Sequence, residues 1–422
     1  MREATLGALL ERAGSFPRGV RFIDRSESQA FFSYEEVFQR AARIAGGLEQ
    51  LGVRCGDRVA IILPTSIGFF DAFYGATLAG AVPVPLYPPV RLGRMDEYHQ
   101  RTARMLKESE ACLLLTDRRI RRVLGRTLRQ VSPKLGTLTV EDAPKSATGR
   151  SVSSPDDPAL IQFSSGTHES PKPVCLTHRQ IIANIDAIRG TILEAHPEGV
   201  DLTHVGASWL PLYHDMGLVG SVLTALAHPS DQVLMAPEAF VARPSIWLRT
   251  ISKFNVTVTA APNFAYSLCA ERIEDDEMEG VDLSSLRVAF NGAEPVTPSA
   301  LVRFVKRFGA YGLREEALTP VYGLAEAALA VTFSDLSEPF NAVAFDRSRL
   351  ARESLAETAA GGLQLVSVGR ALPGYRIRIA DEDGSVLPDD RVGRVLARGP
   401  SIMVGYHGRA ALTAEVLKGD WL

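Results

Sequence analysis

Apolar residues in this chain come in short unbroken runs, separated by longer amphipathic stretches. "RVAIILP" (58–64), "AVPVPL" (81–86), "ACLLLT" (111–116) and "ALIQF" (159–163) have no polar face, so each predicts a strand buried on both sides. Ser33-Tyr-Glu-Glu36 is a capping box that opens a helix, and Gly52 can end it. A helix of small and apolar residues follows the first strand as far as Gly80. The rhythm resumes with a helix from His178 to Glu194, the extended stretch "THVGASWLP" (203–211) and a helix from Asp215 to Ala227. "DQVLMAP", "VTVTAAP" and "LRVAFNG" then alternate with helices ending near Phe254 and Phe308. Buried strands alternating with helices predict mostly parallel, helix-flanked sheets.

The texture changes near residue 340. "LQLVSVG", "YRIRIAD" and "GRVLARG" alternate apolar and polar residues in period two, the mark of half-exposed antiparallel strands. Between the two regimes, Ser334 to Gly362 is polar and Ala-rich, with no evident sheet role. The expected fold class is therefore α/β: two mostly parallel helix-flanked sheets plus a smaller antiparallel, β-barrel-like subdomain. The expected divisions fall at about 1–195, 196–335 and 336–422.

The 422 residues are long for one core and suit such packed subdomains. A formal charge of -3 gives no sign of a nucleic-acid partner, and Arg118-Arg119-Ile120-Arg121-Arg122 reads as a solvated helix face. Cys55, Cys112, Cys175 and Cys269 lie far apart and read as small buried hydrophobes in a reducing, cytoplasmic compartment. No membrane span is expected. The uncharged stretch Ala72 to Val90 contains Pro83, Pro85, Pro88 and Pro89, which a spanning helix would not carry. The N-terminus has no apolar signal region, and the chain stops on an apolar residue in what reads as mid-element, so a truncation is expected.

Four clusters fall at the carboxyl ends of predicted strands, where open α/β sheets place ligands. The first is "FSSGTHESPKPV" (163–174), whose hydroxyls, glycine and lysine suit a phosphate. It is not a P-loop, because Lys172 sits between Pro171 and Pro173 and no hydroxyl follows to hold magnesium. The second, "WLPLYHDMG" (209–217), sets His214 beside Asp215 at a helix start, where a capping role fits equally well. The third, "NGAEP" (291–295), also reads as a plain strand-to-helix turn. The fourth, "PVYGLAE" (320–326), offers Glu326 as a magnesium ligand or as a surface carboxylate.

Taken together and in order, "SWLPLYHDMGL", "APNFAY", "NGAEPV", "YGLAEAALAV" and "VSVGRALPG" resemble the adenylate-forming enzymes, and among them the fatty acyl-AMP ligases. The resemblance runs from about residue 15 to the end and covers that family's large N-terminal domain. It implies ATP and Mg2+ as cofactors, a fatty acid as substrate and an acyl carrier protein as acceptor. It also implies the roles of the clusters. Ser164, Ser165, Gly166, Thr167 and Lys172 fall on the loop over the ATP phosphates. Asn291, Gly292, Ala293, Glu294, Tyr322 and Gly323 fall on the adenine site. His214, Asp215, Met216, Ala261 and Asn263 fall beside the acyl site. Lys172, Glu326 and His214 are the catalytic candidates, with Glu326 on the metal.

The departures are specific. In the family's loop, Ser-Gly-Ser/Thr-Thr-Gly-x-Pro-Lys-Gly, His168, Glu169 and Pro173 replace a threonine and two glycines. Glu169 would repel a polyphosphate unless it points away. The segment at about 340–362 is a candidate for the insertion that the family links to failure to use coenzyme A. By the same resemblance, the ribose-binding aspartate and the small C-terminal domain with its catalytic lysine are absent, and Asp420 is not that aspartate. Two alternatives stay open: a CoA-forming acyl synthetase, and a non-catalytic binding domain with a degenerate phosphate loop.

Overall fold

The computed structural model describes residues 5–89, 95–146, 151–164, 171–196 and 204–422. The Ser33 capping box is formed, with both reciprocal bonds, and the helix Tyr34–Gln50 gives way to Gly52 at φ +92°. Two parallel systems follow. Val82–Pro85, Arg58–Ile62, Leu113–Thr116 and Thr137–Thr139 form a four-stranded, all-parallel sheet. A nine-stranded sheet has a parallel centre in the order Leu318–Gly323, Val288–Asn291, Val258–Ala261, Val205–Ser208, Asp231–Met235, Gly19–Ile23. Antiparallel strands close both edges: Gln29–Ser33 on one side, Ala330–Phe333 and Arg370–Ala371 on the other. The chain therefore enters the large sheet with its first strands and leaves it for the small sheet before returning.

Three expectations need adjustment. The apolar run at 159–163 lies not in a parallel sheet but in a hairpin, Pro158–Phe163 against Pro173–Thr177, extended by Gly405–Tyr406 into three antiparallel strands. The polar stretch before residue 362 does have a sheet role: Ala342–Phe345 pairs antiparallel with Leu363–Val366, with the helix Arg347–Glu353 between them. Cys55 is exposed rather than buried, whereas Cys175 and Cys269 are buried and all four thiols are free. The remaining period-two strands pair as a ribbon, Arg376–Ala380 with Arg394–Arg398. The basic cluster lies on the helix Arg118–Val123, with Ile120 inward and the arginines exposed, as its spacing predicts. Asp420 forms an ion pair with Arg398 at 2.5 Å.

An aromatic cluster packs beneath the strand end that carries "WLPLYHDMG". Trp209 stacks on Phe240 with ring centroids 3.9 Å apart, and Trp247 meets both edge-on. A regular helix is expected from Asp215, but Met216–Leu223 winds as a π-helix before Thr224–Ala227 resumes the α form. Gly217 makes room for it: a Cβ there would lie 2.2 Å from the Pro211 carbonyl oxygen.

Candidate functional site

The carboxyl ends of the central strands and the described ends of the hairpin, through Ser164 and Lys172, border a cavity of about 500 Å³. Ser164, Lys172, His214, Asp215, Met216, Ala293, Tyr322, Gly323 and Glu326 line it, so residues from all four sequence clusters meet at one place. Apolar side chains of Ile188, Phe290, Val321, Leu329 and Phe333 complete the lining.

The hairpin brings its two ends together. The Ser164 N–H donates to the Lys172 carbonyl at 3.0 Å, and the Lys172 N–H donates to Ser164 Oγ at 3.2 Å. Ser165, Gly166 and Thr167, with His168 and Glu169, lie outside the described residues. Lys172 Nζ sits 5.9 Å from the centroid of the Tyr406 ring. The Tyr406 hydroxyl donates to Glu326 Oε1 at 2.7 Å.

The turn carrying Glu326 is held from behind. Gly323 is required where the strand ends, because a Cβ would fall 1.9 Å from the Leu329 carbonyl oxygen. Asn184, fully buried on the helix His178–Ala195, brackets the backbone of Ala330: Nδ2 donates to its carbonyl at 2.8 Å, and Oδ1 accepts its N–H at 3.0 Å. Nδ2 also lies 2.7 Å from the Tyr375 hydroxyl, and Ser401 Oγ donates to the Ala327 carbonyl at 2.6 Å. A network satisfied in this way fixes one geometry for the turn.

His214 Nδ1 lies 2.7 Å from Asp215 Oδ1. Burial alone would lower the imidazole pKa, but the adjacent Asp215 charge and hydrogen bond outweigh it and raise the value above 6.5. Burial also raises the Tyr322 phenol, and the nearby Glu326 carboxylate adds to the shift.

The remaining candidates other than Ala293 do not line the cavity. Ala261 is core. Asn263 Oδ1 accepts the Thr297 N–H at 3.1 Å and lies 3.3 Å from Asn291 Nδ2. Asn291 is fully buried, and its Oδ1 has no partner among the described residues. Gly292 packs tightly, a Cβ there being 2.8 Å from Val321 Cγ2. Glu294 faces away and accepts the Phe264 N–H at 2.6 Å. Ala293 holds φ +68°, an uncommon left-handed backbone for a residue with a Cβ.

A family model for AMP-binding enzymes matches residues 9–407. The chain belongs to the AMP-binding enzyme family. Its resemblance to the fatty acyl-AMP ligases extends to the fold. A solved structure from work on fatty acyl-adenylate ligases of E. coli and L. pneumophila superimposes with a TM-score of 0.93 at 33% identity, over 99% of this chain and 76% of that one. A putative acyl-CoA synthetase of Caulobacter vibrioides is 32% identical over 99% of this chain and 73% of its own length. A medium-chain fatty acid–acyl-carrier-protein ligase of Moorena producens is 31% identical over 94% of this chain and 68% of its own.

One cavity residue of this AMP-binding enzyme, Gln162, and one residue that contacts the cavity lining, Tyr406, carry no motif in the sequence. Gln162 is 1% exposed, and its Nε2 donates to the Tyr213 carbonyl at 3.0 Å, pinning the chain just before His214. Its signal was a lone polar residue in an apolar strand. Tyr406 carried no local signal, since only the pairing of Gly405–Tyr406 with Pro173–Thr177 brings it to Lys172 and Glu326.

Among the described residues no group of three or more His, Cys, Asp or Glu is placed to hold a metal ion. Glu326 does fit one mode of magnesium binding. Oε1 accepts from Tyr406, Oε2 has no hydrogen-bond partner among the described residues, and magnesium commonly takes one carboxylate together with substrate phosphates and water. Among the described residues no helix is long and apolar enough to cross a membrane.

Proposed function

We propose that this chain activates a fatty acid with ATP, forming an acyl-adenylate and releasing pyrophosphate, for transfer to an acyl carrier protein. The observation that carries the reading is the mixed lining of the cavity. Polar groups of Ser164, Lys172, His214 and Glu326 share one space with the apolar side chains of Ile188, Phe290, Val321, Leu329 and Phe333, and an acyl-adenylate combines polar and apolar parts in the same way. The likeness to fatty acyl-adenylate ligases and to a carrier-protein ligase supports the acyl class and the acceptor.

In this reading the hairpin loop with Ser164 and Lys172 grips the phosphates. The turn at Ala293 and the segment Tyr322–Gly323 hold the adenine, and His214 to Met216 lie between nucleotide and acyl chain. Mg2+ bound at Glu326 would neutralise phosphate charge. The substrate carboxylate attacks the α-phosphorus and pyrophosphate departs. The protein contributes alignment and charge stabilisation, and no protein nucleophile is needed. The segment at about 340–362 serves as the insertion that disfavours coenzyme A. The free cysteines support a reducing, cytoplasmic setting.

The test is to incubate the protein with ATP, Mg2+ and fatty acids, and to follow acyl-AMP by mass spectrometry. Coenzyme A or an acyl carrier protein is then added. The reading expects acyl-AMP in every case and transfer to the carrier protein alone. Acyl-CoA formation would favour the CoA-forming alternative suggested by the Caulobacter relative. Absence of acyl-AMP even from a form of the protein that carries the family's small C-terminal domain would favour a non-catalytic binding domain.

A further inference from the structure

A second cavity, of about 80 Å³, abuts the first and shares Gly220, Ala260 and Phe290 with it. It lies between the helix His178–Ala195 and the strands Val205–Ser208, Asp231–Met235 and Val258–Ala261. A tunnel for a plain hydrocarbon should end in apolar side chains. This one instead presents Arg189, His204, Ser221, His228 and Gln232, and no acidic residue lines it among the described residues.

Gln232 is the telling residue. It is 4% exposed, yet its side-chain amide makes no hydrogen bond among the described residues. Its position is built in. Gly206, on the neighbouring strand, leaves the space it occupies, since a Cβ there would lie 2.1 Å from Gln232 Oε1. Arg189 adds a buried Nε with no partner. A buried, unpaired atom of this kind costs about 1–3 kcal/mol and is rare unless something completes it. His228 feels the same field: burial first, then the positive charges of Arg189 and Arg12, hold its pKa below 6.5.

We propose that this second cavity receives the far end of the acyl chain and selects chains that end in a carboxylate, so that the substrate is a dicarboxylic acid activated at one end. The inference rests on the acyl-adenylate reading and names its substrate class. A terminal carboxylate would accept from Gln232 Nε2 and Arg189 Nε in an acid-free pocket. A terminal methyl group would leave both unpaired. The volume suits this, being a few times the roughly 30 Å³ share of a water molecule and too small for a further long run of methylenes.

The experiment compares non-hydrolysable acyl-adenylate mimics over a series of chain lengths, each ending in methyl, hydroxyl or carboxylate, by calorimetry. At the length that spans both cavities, the carboxylate mimic should bind about tenfold tighter than the methyl mimic, as hydrogen bonds to a charged group allow. Gln232→Met and, separately, Arg189→Met should each shrink that preference while methyl-ended binding stays equal or improves. Arg189 is partly exposed, so its variant guards against misfolding of the buried one. Equal or tighter binding of the methyl mimic at every length overturns the inference alone, as does a hydroxyl mimic that outbinds the carboxylate. Binding of no mimic by a folded protein overturns the acyl-adenylate reading, and this inference with it.

Discussion

The Tyr406 hydroxyl donates a 2.7 Å hydrogen bond to Oε1 of Glu326, while the same ring lies beneath the Lys172 ammonium at 5.9 Å. One side chain thus sets the positions of both an anionic and a cationic candidate. Tyr406→Phe removes the hydroxyl and keeps the ring. Adenylate formation should fall about tenfold, the scale of a hydrogen bond to a charged group, with the melting temperature little changed. Tyr406→Leu should lose more, because the ring beneath Lys172 goes as well. Steady-state rates across a magnesium titration read both effects, and an unchanged rate in Tyr406→Phe would remove the positioning role.

Asn184 predicts a stability effect. Its amide brackets Ala330 and meets Tyr375, at 0% exposure. Asn184→Ala leaves several buried polar groups without partners and should cost about 2 kcal/mol or more in chemical denaturation. It should also weaken nucleotide binding, because the Glu326 turn loses its support.

His214 and Asp215 predict a titration. Asp215 raises the His214 pKa against the opposing effect of burial. In Asp215→Asn the burial effect remains alone, so the imidazole pKa should drop below 6.5. The sign for stability follows. A pKa raised in the folded state gives stability that is fully present below the unfolded value and lost as pH rises through the folded one. Imidazole NMR shifts against pH distinguish wild type from variant.

His178 predicts the opposite trend. Burial pushes its pKa down to about 4, and its Nδ1 accepts the Leu6 N–H at 3.1 Å. Between pH 6.5 and about 4 the unfolded chain binds the proton and the folded one does not. Stability should therefore fall as pH drops through that window, by roughly 3 kcal/mol at full extent. Denaturant melts of wild type should show this slope, and His178→Gln should flatten it.

Much of this was legible in the sequence because local physics decided it. Ser33 and Glu36 form their capping box wherever the helix sits, and runs such as "ACLLLT" have no polar face to expose. The clusters around His214, Ala293 and Glu326 were legible as strand-end motifs and do converge. What escaped depended on distant partners. Pro173–Thr177 became a strand through pairing with both Pro158–Phe163 and Gly405–Tyr406. Ala342–Phe345 needed Leu363–Val366, beyond the helix that separates them. The π-helix Met216–Leu223 is accompanied by close packing at Gly217, and no periodicity reveals either. Tyr406 reaches Glu326 across 80 positions of sequence.

The central claim is that one cavity recognises nucleotide and acyl chain together. Calorimetric titration with a non-hydrolysable acyl-adenylate mimic tests it most directly, with ATP and the free fatty acid as separate comparisons. The account predicts saturable binding of the mimic that is tighter than either fragment and is weakened by Lys172→Ala and by Glu326→Ala. A mimic that binds no better than its fragments, or that ignores both substitutions, would contradict it.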